Sequence, residues 1–400
     1  MDVDRIAISP NAPDAIPALI DQISSSRTLS ADDPKARLRL RDAARSLANA
    51  LETPRDAIVR HRWSEATGYA AILTAIDLGL FGELGVGKSR SVGELAVVTK
   101  SDPVLLSRIS KHLAAMEVIT ETGPDEYTAT NLSTTLSVGR YADAFSLLSH
   151  WFFPAIYALP SFLQKAGYRN PSDITNSAFQ LGHQTEAHFF QCAQRSPTLN
   201  KQFNNHMSVY HQGRPSWMDH GFYPVEERLV KGVDISTGDV FLVDIGGSTG
   251  HDLCEFRPKW PHVPGCLVLQ DLPKVVAAVE KRDLPESIEV MAHDFFMEQP
   301  VRGARAYYMH SVLHDWPDDM CRKILSRLLP VVKPGYSKVL INENVAPSRD
   351  AHYETTSLDM NMLSISSGER TERHWTARGV GIIQWDVDKS ASGHPVRRDG

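Results

Sequence analysis

From Gly232 onward the chain alternates short apolar runs with segments long enough to hold helices, and no other feature restricts the fold as much. The runs FLVDIG, CLVLQD, IEVMAHD, RAYYMHSV and SKVLINE recur at repeating intervals. Each has strand length and is rich in branched or aromatic side chains. Strands joined through helices pair in parallel, so the expected product is a mostly parallel sheet with helices on both faces. The fold class is α/β. A ligand of such a sheet belongs in the crevice at the carboxyl ends of the strands.

Those strand ends hold the informative residues. The segment Val243-Asp244-Ile245-Gly246-Gly247-Ser248-Thr249-Gly250-His251 passes from an apolar strand through an acid into a Gly-rich turn. Without a Cβ the backbone can turn tightly and a ligand can come close. Alone, such a turn is a weak signal. It lacks Walker spacing, and glycines at 246, 247 and 250 do not make the usual dinucleotide pattern. The next strand ends at Gln270-Asp271, before Leu272-Pro273. Asp271 could accept from a ribose diol, or cap the following helix; the two roles are compatible. The third strand ends at His293-Asp294-Phe295-Phe296, where Asp294 suits an adenine amino group and Phe295 the face of the ring. Together the three ends form a stronger signal than any one of them.

A chain of 400 residues, 42% hydrophobic, has material for more than one core. Residues 1–34 are rich in Ser, Pro and Asp and are expected to be weakly ordered. Residues 35–140 form a helical domain, with Thr53-Pro54 marking one helix start. Between Ser91 and Leu136 the pattern becomes a winged helix: a helix over Ser91 to Val97, one opened by Ser101-Asp102-Pro103, then strands around Gly123-Pro124-Asp125. A winged helix can bind DNA. Here Arg108 and Lys111 are the only basic side chains of the second helix, so a packing module is the better reading. Residues 141–230 are mainly helical and crowded with Phe, Trp, Tyr, Met and His, which suits either ordinary core or the lining of a flat apolar ligand site. The sheet occupies 231–388, and 389–400 is a polar tail.

The formal charge of -6 disfavours a duplex nucleic-acid partner. Four cysteines, Cys192, Cys254, Cys266 and Cys321, make no close CxxC and no His/Cys cluster of metal spacing. No metal is expected. The N-terminus MDVDRIAISPNAPDAIPALID has no apolar segment of signal length, and no run is long enough for a bilayer. A cytoplasmic protein with no membrane partner is expected.

The motifs VDIGGSTG, LQDLP, HDFF, YYMHSVLHDWPDD, VLINE and GERTE, with the earlier WMDHGFYPVEERL, resemble those of the plant-type and fungal small-molecule O-methyltransferases. That group includes the caffeic acid and hydroxyindole methyltransferases and is cation-independent. The resemblance spans roughly residues 35 to 375. It implies a Rossmann-like methyltransferase sheet, S-adenosyl-L-methionine as cofactor, and a homodimer formed through the N-terminal helices that contain the winged-helix module. It places Asp244, Gly246, Gly247 and neighbours at the methionine part of the cofactor. Asp271 and Leu272 would meet the ribose, and Asp294 and Phe295 the adenine, with Trp316 packed nearby. The substrate implied is a small aromatic, a phenol or polyketide-derived metabolite, methylated on a hydroxyl.

The reactive centre is His310-Ser311-Val312-Leu313-His314-Asp315-Trp316-Pro317-Asp318-Asp319. Methyl transfer to an oxygen needs a nucleophile that is losing its proton. A phenol has a pKa near 10 and a histidine near 6.5, so full transfer between isolated groups is uphill by roughly 5 kcal/mol. Nearby carboxylates raise imidazole basicity. The resemblance makes His314 the general base and sets Glu343 and Glu369 on either side of it. Taken without it, His314 could be structural, Glu343 could mark a strand end, and Glu369 could cap or face solvent beside Arg370.

Two departures from the family stand out. Its members often have Lys or Arg at the position of His310, so a charged contact to the cofactor becomes weaker or pH-dependent. After Glu372 the family has a longer helix and two antiparallel strands; RHWTARGVGIIQWDVDKSASGHPVRRDG has room for a helical turn and one strand from Ile382 to Val387. Two rivals remain: a cofactor-binding enzyme that does not methylate, such as a pericyclase or decarboxylase, and an inactive binding or regulatory protein.

Overall fold

The computed structural model describes residues 2–25, 34–210, 212–214, 216–219, 222–234, 240–277, 279, 284–376 and 382–385. The chain divides into two compact units, Met1–Ser146 and Leu147–Gly400.

The first unit begins with order where weak order is expected. Helices run over Val3–Ala7 and Ile16–Ser25. Asp2 caps the first by accepting the Arg5 N–H. The second packs on the helix Pro34–Leu51, and the Asn11 and Ala12 N–H groups donate to the Glu52 and Ala50 carbonyls at 2.9 and 3.2 Å. The Asp and Pro residues that suggest weak order are here the caps and first-turn residues of short helices. Thr53 caps Pro54–Val59 with a reciprocal bond to Asp56.

Ser91 and Asp102 cap the helices Val92–Thr99 and Pro103–Ala115. Beside them stands an antiparallel sheet of β1 (Arg90–Ser91), β3 (Glu126–Ala129) and β2 (Ile119–Gly123), in that order. Leu95, Leu106, Leu113 and Tyr127 fill the core between them. Lys111 is paired with Asp125 at the hairpin turn.

The second unit is built on a parallel sheet. Its strands are β4 (Val240–Ile245), β5 (Cys266–Asp271), β6 (Ile288–Ala292), β7 (Ala306–His310), β8 (Lys338–Ala346), β9 (Arg370–Thr371) and β10 (Ile382–Trp385). The order is β10-β8-β7-β4-β5-β6, with β9 pairing to the end of β8. Every pairing is parallel. The order reverses between β4 and β7, which opens a crevice there. Along β7, Ala306 and Tyr308 pack into one core while Tyr307 and Met309 pack into the other, as a two-residue period requires. Both faces are buried, which accounts for the continuous apolar runs.

The aromatic helices belong to the same unit as the sheet. Phe152, Phe179 and Phe189 pack with Met362 and Ile365, each buried ring contributing about 1.5–3 kcal/mol. Most of that aromatic wealth is therefore core. The helices Phe153–Lys165 and Ala178–His183 meet so closely that a Cβ at Gly182 would strike the Pro154 carbonyl. Arg305, buried before β7, donates to the Arg228, Leu229 and Lys231 carbonyls and satisfies the end of the turn Glu226–Val230.

At the chain's end, Glu372–Thr376 is helical and β10 pairs in parallel with β8, Ile382 opposite Ile341. Among the described residues the sheet thus ends in one outer parallel strand beside β8. The polar tail 389–400 lies outside the described residues. Among the described residues no helix is long and apolar enough to cross a membrane.

Candidate active site

A cavity opens at the carboxyl ends of β4, β5 and β7 and encloses about 990 Å³ of empty space, its mouth included. Asp244, Gly246, Gly247, Asp271, Leu272, Phe295, His310 and Trp316 all line it. Asp294 does not: its Oδ1 accepts the Phe296 N–H at 2.9 Å and caps the turn after β6.

The Gly-rich turn is shaped by steric necessity. Gly246 has φ +74°, and a Cβ on Gly247 would run into the Asp244 carboxylate and the Leu269 side chain. Asp271 fastens this turn: its Oδ2 accepts Ser248 N–H at 2.8 Å and its Oδ1 accepts Leu272 N–H at 2.7 Å. Burial raises the Asp271 pKa although these bonds oppose it. Asp244 is buried at the floor, and its Oδ2 has no hydrogen-bond partner. Burial, then the charges of Asp252 and Asp271, raise its pKa well above the carboxylate range.

The helix Pro197–Tyr210 turns one face to the cavity through Asn200, Phe203, Asn204 and Met207. Phe190 and His188 stack on Trp316, centroids 5.5 and 5.3 Å away. Burial pushes the His188 pKa down to about 4, so it presents a neutral ring. Of the aromatic and Met-rich segment, Phe190, Phe203 and Met207 reach the cavity.

Below the cavity lies a polar chain that sequence reasoning missed. Asn342 Nδ2 donates to Tyr308 Oη at 2.9 Å, and Tyr308 Oη and His310 Nδ1 donate to Asp252 Oδ2 at 2.8 and 2.7 Å. Burial raises Asp252, but His310 more than offsets this and holds its carboxyl well below the usual range. Burial in turn lowers His310, and Asp252 raises it above the histidine value. His251, Asp252 and His310 also set ligand-type atoms within 4.8 Å of one another. An acid in the first turn of a helix reads in sequence as a dipole partner, so Asp252 gave no signal of this network.

His314 sits on the single turn Leu313–Asp315 after β7. Its Nδ1–H donates to Glu369 Oε1 at 2.7 Å, with the two side chains 9% and 0% exposed. Its Nε2 lies 3.5 Å from Asp315 Oδ1, and Asp315 lines the cavity. Glu343 makes no hydrogen bond to the imidazole. Its Oε1 accepts the Val312 and Leu313 N–H groups at 3.1 and 2.7 Å, and it reaches His314 only through its charge. Burial lowers the His314 pKa, but Asp315, Glu369 and Glu343 outweigh it and raise it to about 10. Burial also pushes Asp315 up to about 7, against the pull of His314.

The sheet order, the crevice and the buried His–Glu pair define a Rossmann-like α/β transferase of the methyltransferase kind. The chain belongs to the O-methyltransferase family: residues 172–378 match the family's O-methyltransferase domain. It is 38% identical to the O-methyltransferase mpaG of Penicillium roqueforti, over 85% of this chain and 87% of that one. It is 37% identical to the methyltransferase cfoC of Aspergillus candidus, over 85% and 84%. Among solved structures it resembles one described as a pericyclic reaction enzyme, with a TM-score of 0.82 and 30% identity over 92% of both chains.

The geometry makes the His314 charge depend on Glu369. Nitrogen NMR should find the imidazole titrating near pH 10 in the wild type and markedly lower in Glu369→Gln. Because the folded value is raised, this interaction stabilises the fold fully below about pH 6.5 and the benefit is lost as pH rises through about 10. An unchanged titration in the variant would show that Glu369 does not set the charge.

Proposed function

We propose that the chain methylates a hydroxyl of a small aromatic metabolite, taking the methyl group from S-adenosylmethionine, with His314 as general base. The observation that carries this reading is the 2.7 Å bond from His314 Nδ1 to the buried Glu369 carboxylate. It fixes the tautomer whose Nε2 carries the free lone pair.

The lining residues fit the cofactor. Gly247 lets the turn lie against Asp244 and Leu269, where a Cβ would clash, and Asp244 Oδ2 is a buried polar atom without a partner. An ionised carboxylate offers about four acceptor sites, so Asp271 retains capacity for a ribose diol after binding two backbone donors. Phe295 and Trp316 supply apolar faces for a purine. When bound, S-adenosylmethionine supplies an electrophilic methyl group on a cationic sulfonium. Asp244, Gly246, Gly247 and His310 are assigned to its methionine side, Asp271 and Leu272 to the ribose, Phe295 and Trp316 to the adenine. Asp294 would have to turn away from its cap to reach the base.

His314 then takes the hydroxyl proton as the oxygen attacks. Against an unperturbed histidine the transfer is uphill by roughly 5 kcal/mol. With His314 raised to about 10 it is close to balanced. The corresponding burden is that His314 must first lose its own proton, and positive charge in the cavity favours that loss. Glu369 orients the ring and stabilises the imidazolium that forms. Glu343 fixes the turn on which the ring stands and adds negative charge. Positioning of the acceptor and exclusion of water by Phe190, Phe203 and Met207 complete the arrangement.

A second reading is a non-methylating reaction with the same cofactor, supported by the likeness to the pericyclic reaction enzyme. The intact His314–Glu369 pair favours methyl transfer. The decisive experiment incubates the protein with S-adenosylmethionine and a panel of phenols and reads product mass. One added methyl group is expected, with His314→Ala reducing the rate by roughly 10²–10⁴-fold. Cofactor binding without any methylated product would favour the second reading.

The first unit supports a homodimer. Leu51, Ile58 and Trp63 on its helices are 51, 60 and 58% exposed, an apolar surface that a second copy would cover. Light scattering should give twice the chain mass; a stable monomer at micromolar concentration would remove the proposal.

A further inference from the structure

Arg370 stands next to Glu369, is 7% exposed, and has no part in the chemistry assigned so far. Its guanidinium is spent on the loop that bears the base. Nη1 donates to the Leu313 carbonyl at 2.9 Å and Nη2 to the Trp316 carbonyl at 2.6 Å, so the two bonds bracket His314 and Asp315. Nε donates to Asp318 Oδ1 at 3.1 Å, just beyond the same loop. The guanidinium also lies 5.2 Å from the centre of the Trp375 ring.

The loop needs an external clamp. Leu313–Asp315 is one turn of 3₁₀ helix, too short to hold itself. Ser311 before it has φ +52°, a left-handed conformation that a non-glycine residue adopts at a cost of roughly 1–2 kcal/mol. Glu343 ties the loop's N–H groups from one side. Gly368 N–H reaches the His314 carbonyl at 3.3 Å from the other, and the Ser367 hydroxyl binds the same carbonyl. The planar guanidinium takes the Leu313 and Trp316 carbonyls on two separate nitrogens held in one fixed geometry, which the single nitrogen of an ammonium does not reproduce.

We propose that Arg370 is a positioning residue for His314, fastening the base's loop to the segment that carries Glu369. β9 pairs with β8 at Val345–Arg370, and Glu369 immediately precedes it, so two adjacent residues deliver the acid that orients the ring and the clamp that places its backbone. The two act on different parts of His314: Glu369 on the imidazole, Arg370 on the main chain. This rests on His314 being the base.

The test compares wild type with Arg370→Lys, which keeps the charge and loses the fork, and with Asp318→Asn, which loosens the clamp at an exposed side chain. The readouts are kcat, KM for the acceptor, cofactor Kd, melting temperature, and the His314 Nδ1–H proton resonance. The expected result is a 10- to 100-fold loss of kcat in Arg370→Lys and a smaller loss in Asp318→Asn. Acceptor KM and cofactor Kd should stay within about twofold, and the Nδ1–H resonance should broaden or vanish. Should Arg370→Lys fail to fold, Asp318→Asn decides the matter at wild-type melting temperature. Wild-type kcat with an intact resonance would overturn the proposal. So would losses that merely track melting temperature and cofactor binding. The resonance reports on the clamp even if no methylated product forms, so failure of the clamp and failure of the methyl-transfer reading are told apart.

Discussion

An imidazole and a carboxylate share a dry space at His314 and Glu369, and each makes the other's burial tolerable. Either charge alone would lose several kcal/mol of hydration there. At 2.7 Å they compensate each other, and Asp315 and Glu343 add enough negative potential to hold the ring cationic well above neutral pH. The neighbouring backbone is arranged to keep this pair in register. Glu343 binds the loop's N–H groups, Arg370 binds its carbonyls, and Asp359 Oδ1 accepts the Glu369 N–H at 2.8 Å.

A second buried charge pair, His310 with Asp252, stands near the first on the same strand end. Between them the cavity wall carries more carboxylates than cations, and burial, with the charges of Asp252 and Asp271, raises the Asp244 pKa. Such a wall suits a ligand with net positive charge. At the position that often holds Lys or Arg in the family, His310 has Asp252 beside it, and that carboxylate raises its pKa above the histidine value against the effect of burial.

The sheet was legible because its signals are local. Each strand is a contiguous apolar run, and the Gly-rich turn needs its glycines for reasons visible in nine residues. The His314–Glu369 pair is a contact between groups 55 residues apart, and only family resemblance brought them together in advance. Asp252 and Arg370 were silent for the same reason: their partners lie on other elements, and in isolation each looks like an ordinary charged residue at the start of a helix or strand. Asp294 shows the converse. Its place at a strand end was read correctly, but a side chain beside a turn can satisfy the nearest N–H before it faces a ligand. In the N-terminal segment Asp2 caps one short helix and Pro13 opens another, local roles that composition alone does not display.

The most direct test of the account is the pH dependence of kcat/KM for a phenolic acceptor in wild type and Glu369→Gln. The account predicts that the rate climbs with pH as His314 loses its proton, and that the variant's climb begins at lower pH but reaches a lower plateau. Superimposable profiles would contradict it, because the carboxylate at 2.7 Å would then have no hold on the group proposed to take the proton.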